Sequence, residues 1–235
     1  LAVLAGGRLA SASSDKMIKI WDLATHTCMA TLEGHENWVT SLAALEGGRL
    51  ASGSVDRMIK IWDLATSACV ATLEGNAGTA HSLAVLEGGR LASGSSDQMI
   101  KIWDLATRAC VATLEGHEGI VMSLAVLEGG RLASGSRDAT IKIWDLATGA
   151  CVATLKGHKG LVRSLAVLAG GRLASGSHDG MIKIWDLAAG ACMATLKGHE
   201  GRVWSLAVLQ GGRLANGSAD GDIKIWDSAL SNILR

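Results

Sequence analysis

Ile59-Lys60-Ile61-Trp62-Asp63 is one of six copies of the same pentapeptide. Its tryptophan recurs as Trp21, Trp62, Trp103, Trp144, Trp185 and Trp226, each 41 residues after the one before. A fixed period of roughly 20–50 residues marks a repeat architecture, in which a unit buries its apolar surface by stacking on its neighbours. Six Gly-Gly pairs keep the same interval. Glycine supplies the positive φ of tight turns, so the pairs predict six regular hairpins.

Within residues 35 to 75 the reading resolves into strands. Val39 to Leu45 is a short apolar run, closed by Gly47-Gly48. Leu50 to Ser54 follows, then a turn at Val55-Asp56-Arg57, then Met58 to Trp62, and finally Cys69 to Leu73. Short runs bounded by Gly and Asp are strand signals, and none has a helical period of useful length. Val39 to Leu45 is apolar on both alternating sets, as in a strand covered on both faces. Four antiparallel strands covered on both sides need neighbours stacked on each side. The expected fold is all-β: a β-propeller of four-stranded antiparallel blades, six in this chain. The blades fall at about 1–33, 34–74, 75–115, 116–156, 157–197 and 198–235 of a single domain.

The unit resembles the WD40 repeat, with Gly-His near its start, Trp-Asp near its end and four strands. The resemblance covers essentially the whole chain. Four repeats keep the histidine, as His35, His117, His158 and His199, and the third has Asn76. Six periods would occupy 246 residues against the 235 present, so 11 are absent from the frame. The first strand is cut short at Leu1, and the divergent tail Ser231-Asn232-Ile233-Leu234-Arg235 replaces the last. Two outcomes follow. Six blades close side against side with a weak seam, or the chain belongs to a larger ring. Self-association at that seam is an expectation, because an uncovered sheet edge is an association hazard. The missing initiator Met fits a processed or excised piece.

Lys plus Arg and Asp plus Glu are 22 each, spread evenly along the repeats. That balance argues against a nucleic-acid partner, whose non-specific binding draws on excess basic charge. No apolar run approaches the roughly 18 residues of a membrane span. Cys28, Cys69, Cys110, Cys151 and Cys192 also keep the period. They read as small buried hydrophobes in a reducing, cytoplasmic compartment. No calcium loop, Cys/His metal spacing or phosphate loop is present, so neither a metal nor a cofactor is expected. The arginines after the Gly-Gly turns are expected to pair with local acidic groups, such as the aspartate of Trp-Asp.

Each repeat carries Ser, His and Asp, which invites a reading as a nucleophilic triad. The resemblance implies otherwise. In WD-repeat propellers these residues and the tryptophan form a buried hydrogen-bond chain, Trp to Ser to His to Asp. The complete sets here are His35, Ser52, Asp56 and Trp62; His117, Ser134, Asp138 and Trp144; and His158, Ser175, Asp179 and Trp185. The third repeat has Asn76 for His, and the sixth has Asn216 for Ser. One potential site per repeat favours a structural device over an enzyme, and no catalytic residue is expected.

The repeats differ chiefly at three positions, which the resemblance places at the mouth of the ring beside the Gly-His loops. One runs Trp38, Thr79, Ile120, Leu161, Arg202, and the next Thr40, His81, Met122, Arg163, Trp204. The third, before the turn aspartate, includes Val55, Arg137 and His178. Trp, Met and Arg are enriched at protein interfaces. Drift in duplicated repeats is the plain alternative, but large apolar residues on a surface are costly without a purpose. The expected function is a non-catalytic scaffold that binds a protein or peptide on this rim. Alternatives are a recognition module cut from a larger signalling protein, or a recently amplified or engineered propeller with no settled partner.

Overall fold

The computed structural model describes residues 1–227 and the backbone of 233–234. The chain is all-β, built of the six four-stranded antiparallel blades of a propeller fold. It falls into two compact units, Leu1–Glu115 and Gly116–Arg235, with three blades in each. Apart from a single 3₁₀ turn, Gln210–Gly212, no helix occurs among the described residues.

The second blade shows the pattern: Val39–Leu45, Arg49–Ser54, Ile59–Asp63 and Cys69–Leu73, each paired with the next in the chain. The first hairpin turns through Glu46-Gly47-Gly48, with φ of +69° and +68° at the glycines. L-residues with a Cβ rarely adopt that conformation, which is why both positions are glycine. The third strand turns into the fourth through Asp63, whose Oδ1 accepts the Ala65 and Thr66 backbone N–H groups and the Thr66 hydroxyl. This local side-chain cap accounts for the Asp of Trp-Asp. Arg49 stands opposite Asp63 in the ladder, but its Nε donates to the Glu46 carbonyl at 3.3 Å. The arginine therefore locks the glycine turn.

In each unit the core lies between blades. Ile59, Ile61 and Leu73 of the second blade pack on Ala80, Leu91 and Trp103 of the third. Ile141, Ile143 and Leu155 of the fourth pack likewise on Val162, Leu173 and Trp185 of the fifth. A side chain such as Leu91, with no exposed surface, contributes about 1.5–3 kcal/mol by burial.

Two sequence expectations need correction. The second strand of the blade, rather than the first, is enclosed on both faces: Leu50 to Ser54 are all buried, whereas the first strands leave Val85, Val126 and Val167 exposed. All five cysteines are exposed and unpaired. They open or nearly open the fourth strand, which lies at the blade edge and buries only its closing leucine. Apolar composition does not say which strand is the edge. The first blade's opening strand is short, Ala2–Leu4. Of the divergent tail, Ser231, Asn232 and Arg235 lie outside the described residues.

Candidate functional site

The Gly-His loop and the second and third strands bring four polar side chains into line in the second, fourth and fifth blades. In the fourth, Trp144 Nε1 donates to Ser134 Oγ at 2.8 Å, His117 Nε2 lies 2.7 Å from Ser134 Oγ, and His117 Nδ1 lies 2.7 Å from Asp138. The second and fifth blades repeat this with Trp62, Ser52, His35 and Asp56, and with Trp185, Ser175, His158 and Asp179. The donor inventory fixes the direction. Indole N–H only donates, so the serine accepts from it and donates to Nε2, leaving Nδ1–H to donate to the carboxylate. The first serine of Ser-Gly-Ser is the member. The second, Ser54, donates to the Asn37 carbonyl and accepts the Asp56 backbone N–H. Ser52, Ser134 and Ser175 have no exposed surface, so a substrate carbonyl has no path to Oγ in this arrangement.

The sixth blade completes the chain by other means. Trp226 Nε1 donates to Asn216 Oδ1 at 2.8 Å, Asn216 Nδ2 lies 2.6 Å from His199 Nε2, and His199 Nδ1 is 2.6 Å from Asp220. The amide accepts at one atom and donates at the other, and so does the work of a hydroxyl. The third blade does not complete it. Trp103 still donates to Ser93, but both polar atoms of buried Asn76 lack a partner. An orphaned buried polar group costs about 1–3 kcal/mol. Asn76→His is therefore expected to stabilise the protein by about 1–2 kcal/mol, a rise of about 2–4 °C in Tm per kcal/mol. An unchanged or lower Tm in calorimetry would sink the idea that Asn76 is too short to bridge.

Burial holds His35 and His158 below the usual imidazole value of 6.5, although their aspartates pull the other way. Burial pushes Asp56 and Asp179 up, yet backbone N–H groups and the histidines outweigh it and leave both below 3.8. Both shifts have one sign: the unfolded chain binds more protons. Stability is complete at neutral pH, declines as pH falls through 6.5, and declines again below 3.8. Tm measured from pH 7.5 down to 5 should fall, and the slope should flatten in a His35→Asn, His158→Asn variant. An equal slope in that variant would remove these histidines as the cause.

The variable positions gather at the same end of each blade as these loops. Backbone hydrogen bonds set two of the three side by side: Val55 N–H donates to Trp38 O, Ser96 to Thr79, Arg137 to Ile120, His178 to Leu161 and Ala219 to Arg202. The third is the extra residue of a β-bulge in the first strand, where the register shifts around Thr40, His81, Met122, Arg163 and Trp204. A bulge re-aims its side chain and sharpens the local twist.

Within the first unit Trp38 is 57% exposed. The Thr40 hydroxyl is committed to the Gly53 and Ala80 carbonyls, and Val55, Thr79 and His81 are half-buried. Within the second unit the residues form a stack. The Arg163 guanidinium lies 5.6 Å from the Trp204 ring centroid, and His178 packs edge-on to the same ring at 4.9 Å. Arg163 also touches Met122 Sδ. Ile120 and Leu161 are half-buried, and Arg137 and Arg202 are exposed. Among the described residues no cluster of His, Cys, Asp or Glu has the form of a metal site.

The sequence profile described as "WD domain, G-beta repeat" matches residues 3–22, 26–63, 67–104, 108–145, 149–186 and 190–227. The chain belongs to the WD-repeat family. Two curated relatives of this WD-repeat chain are Lissencephaly-1 homologs. That of Dictyostelium discoideum is 58% identical over 36 residues, 15% of this chain and 9% of the relative. That of Trichoplax adhaerens is 55% identical over 38 residues, 16% of this chain and 9% of the relative. The matched stretch is the length of one repeat, and it spans under a tenth of each relative. The likeness is one of repeat to repeat.

Proposed function

We propose that this WD-repeat chain is a non-catalytic scaffold whose Gly-His-side loops bind a protein or peptide segment. The observation that carries the reading is the pairing of constant and variable positions. The buried chain is completed in four blades with almost the same residues, whereas the bulge residue and the residue before the strand differ in all five repeats that have them, and the residue before the turn aspartate takes five identities in six. A bulge turned toward an end of the blade is a place where side chains meet partners. Trp38 in one unit and Trp204 in the other, 57% and 42% exposed, are the apolar anchors. The even charge and the absence of a basic block favour protein over nucleic acid. Five unpaired, exposed cysteines suit a reducing compartment.

Quantitative mass spectrometry of proteins retained on the immobilised chain tests this against a Trp38→Ala, Trp204→Ala variant of equal Tm. At least one retained protein is expected to fall about ten-fold or more, as truncated interface anchors cost 2 kcal/mol or more. An identical retained set from both would point to drift at these positions.

A further inference from the structure

Arg163 is the residue whose surroundings ask for something the chain does not supply. It sits on the first strand of the fifth blade at a bulge, half-buried, between Met122 Sδ and the face of Trp204. Burial alone lowers its pKa, and no carboxylate compensates. Among the described residues it makes no ion pair. Asp179, on the adjoining turn, is committed to His158. His178, on the other side of Trp204, has a buried Nε2 with no partner. Arg202 lies near enough to push the His178 pKa further down, as Arg163 does. A hollow beside the stack is bounded by His178, Gly201 and Arg202, with Glu200 its one carboxylate besides Asp179 and Asp220's partner His199 on its wall.

Around the stack stand two arginines, Arg163 and Arg202, against Asp179, which is taken up by His158, and the exposed Glu200, so the guanidinium of Arg163 has no carboxylate of its own. A guanidinium stacked on an aromatic ring keeps its N–H fork free at the edge, which matches a carboxylate bidentately. Leaving the cation partly desolvated and unpaired is unfavourable, and an incoming anion removes that penalty. We propose that Arg163, steadied by Trp204 and Met122, is the anchor for an aspartate or glutamate side chain of a bound peptide. Arg202, which like Arg163 lies within electrostatic reach of His178, adds to the positive charge of the subsite. The inference rests on the reading of these loops as a docking surface, and it narrows that surface to one subsite and one side-chain class.

The test uses the full chain, immobilised, and two synthetic dodecapeptide libraries that differ only in a central Asp-Glu or Asn-Gln pair. Retained peptides are counted by mass spectrometry. The acidic library should be retained at least about ten-fold over the amide library, a margin of about 1.4 kcal/mol. Arg163→Gln should erase the preference, and Arg163→Lys should keep part of it, since lysine offers charge without the planar fork. The Tm of each variant is measured alongside. A preference that persists in Arg163→Gln overturns the subsite and leaves the docking surface standing. Equal retention of both libraries, lost in the Trp38→Ala, Trp204→Ala variant, does the same. Retention of neither library overturns both. A central phosphoserine held ten-fold better than Asp-Glu overturns the assignment to a carboxylate.

Discussion

Trp144→Ala is expected to cost about 3–5 kcal/mol, the largest loss from any single change in the fourth blade. Trp144 is 1% exposed, so its removal opens a cavity that the surrounding sheet fills only in part. It also withdraws the donor from Ser134 Oγ, one end of the chain that runs through His117 to Asp138. Trp144→Phe separates the two contributions. It keeps most of the apolar volume and loses the hydrogen bond, for about 1–2 kcal/mol. The first blade supplies an internal comparison. Trp21 bonds Ser11 at 2.8 Å but is half-buried, and among the described residues no histidine extends the bond. Trp21→Ala should therefore cost well under half as much. Thermal unfolding read by circular dichroism, together with hydrogen exchange of the blade concerned, decides it. Equal losses at Trp21 and Trp144 would mean that burial in the four-residue chain adds nothing.

Gly176→Ala ranks next. A Cβ there would meet Val203 Cγ1 at 2.6 Å and Ser164 Oγ at 2.7 Å. Real Cβ atoms are not found so close, so Ser164 and the buried Val203, or the strands that carry them, must shift. Overpacking of this kind costs about 1–3 kcal/mol and sometimes more. The φ of Gly176 is not positive, so the penalty comes from space and not from backbone conformation. Among the described residues Gly217, the same position in the sixth blade, faces only Ser205 Oγ, at 3.2 Å. There alanine should be neutral or slightly stabilising, because it removes freedom from the unfolded chain. The first blade already carries Ala12 at this place, packed against the core cluster that includes Val39 of the next blade. Among the described residues its opening strand, Ala2–Leu4, carries no serine. Matched unfolding curves for Gly176→Ala and Gly217→Ala test the steric account, which fails if the two variants are equally stable.

The period, the glycine turns and the strand order were legible because each leaves a mark in residue type. Val39–Leu45 and Cys69–Leu73 fall where the apolar runs place them, and Arg49–Ser54 and Ile59–Asp63 lie within one residue. Other features leave no such mark. A bulge is an extra residue in a ladder, and nothing in Val162-Arg163-Ser164 announces it. The stack of Arg163 on Trp204 joins residues one period apart, which no local pattern reports. Asn76 and Asn216 are the same amino acid replacing different members of one chain. One restores the bonding and the other leaves two atoms orphaned, and only geometry tells them apart. The cysteines mislead because hydrophobicity is a property of the residue, while exposure belongs to the strand's place at the edge.

The four-residue chain has a consequence for how such an array changes length. From His117 to Trp144, every member lies within one repeat. The core contacts between adjacent blades are apolar, as with Ile141 and Ile143 against Leu173 and Trp185, and the arginine and histidine that reach Trp204 do so at the loop end, outside this core. Where a hydroxyl does cross, as from Thr40 and Ser41, it seeks the backbone carbonyl of Ala80, a group that any repeat presents. Gain or loss of a whole 41-residue copy therefore severs no side-chain hydrogen-bond chain and joins surfaces that already fit. A shift of any other length would part a histidine from its serine. Recombination between copies is thus tolerated in whole units only, and the array's uniform period is what such a filter leaves behind.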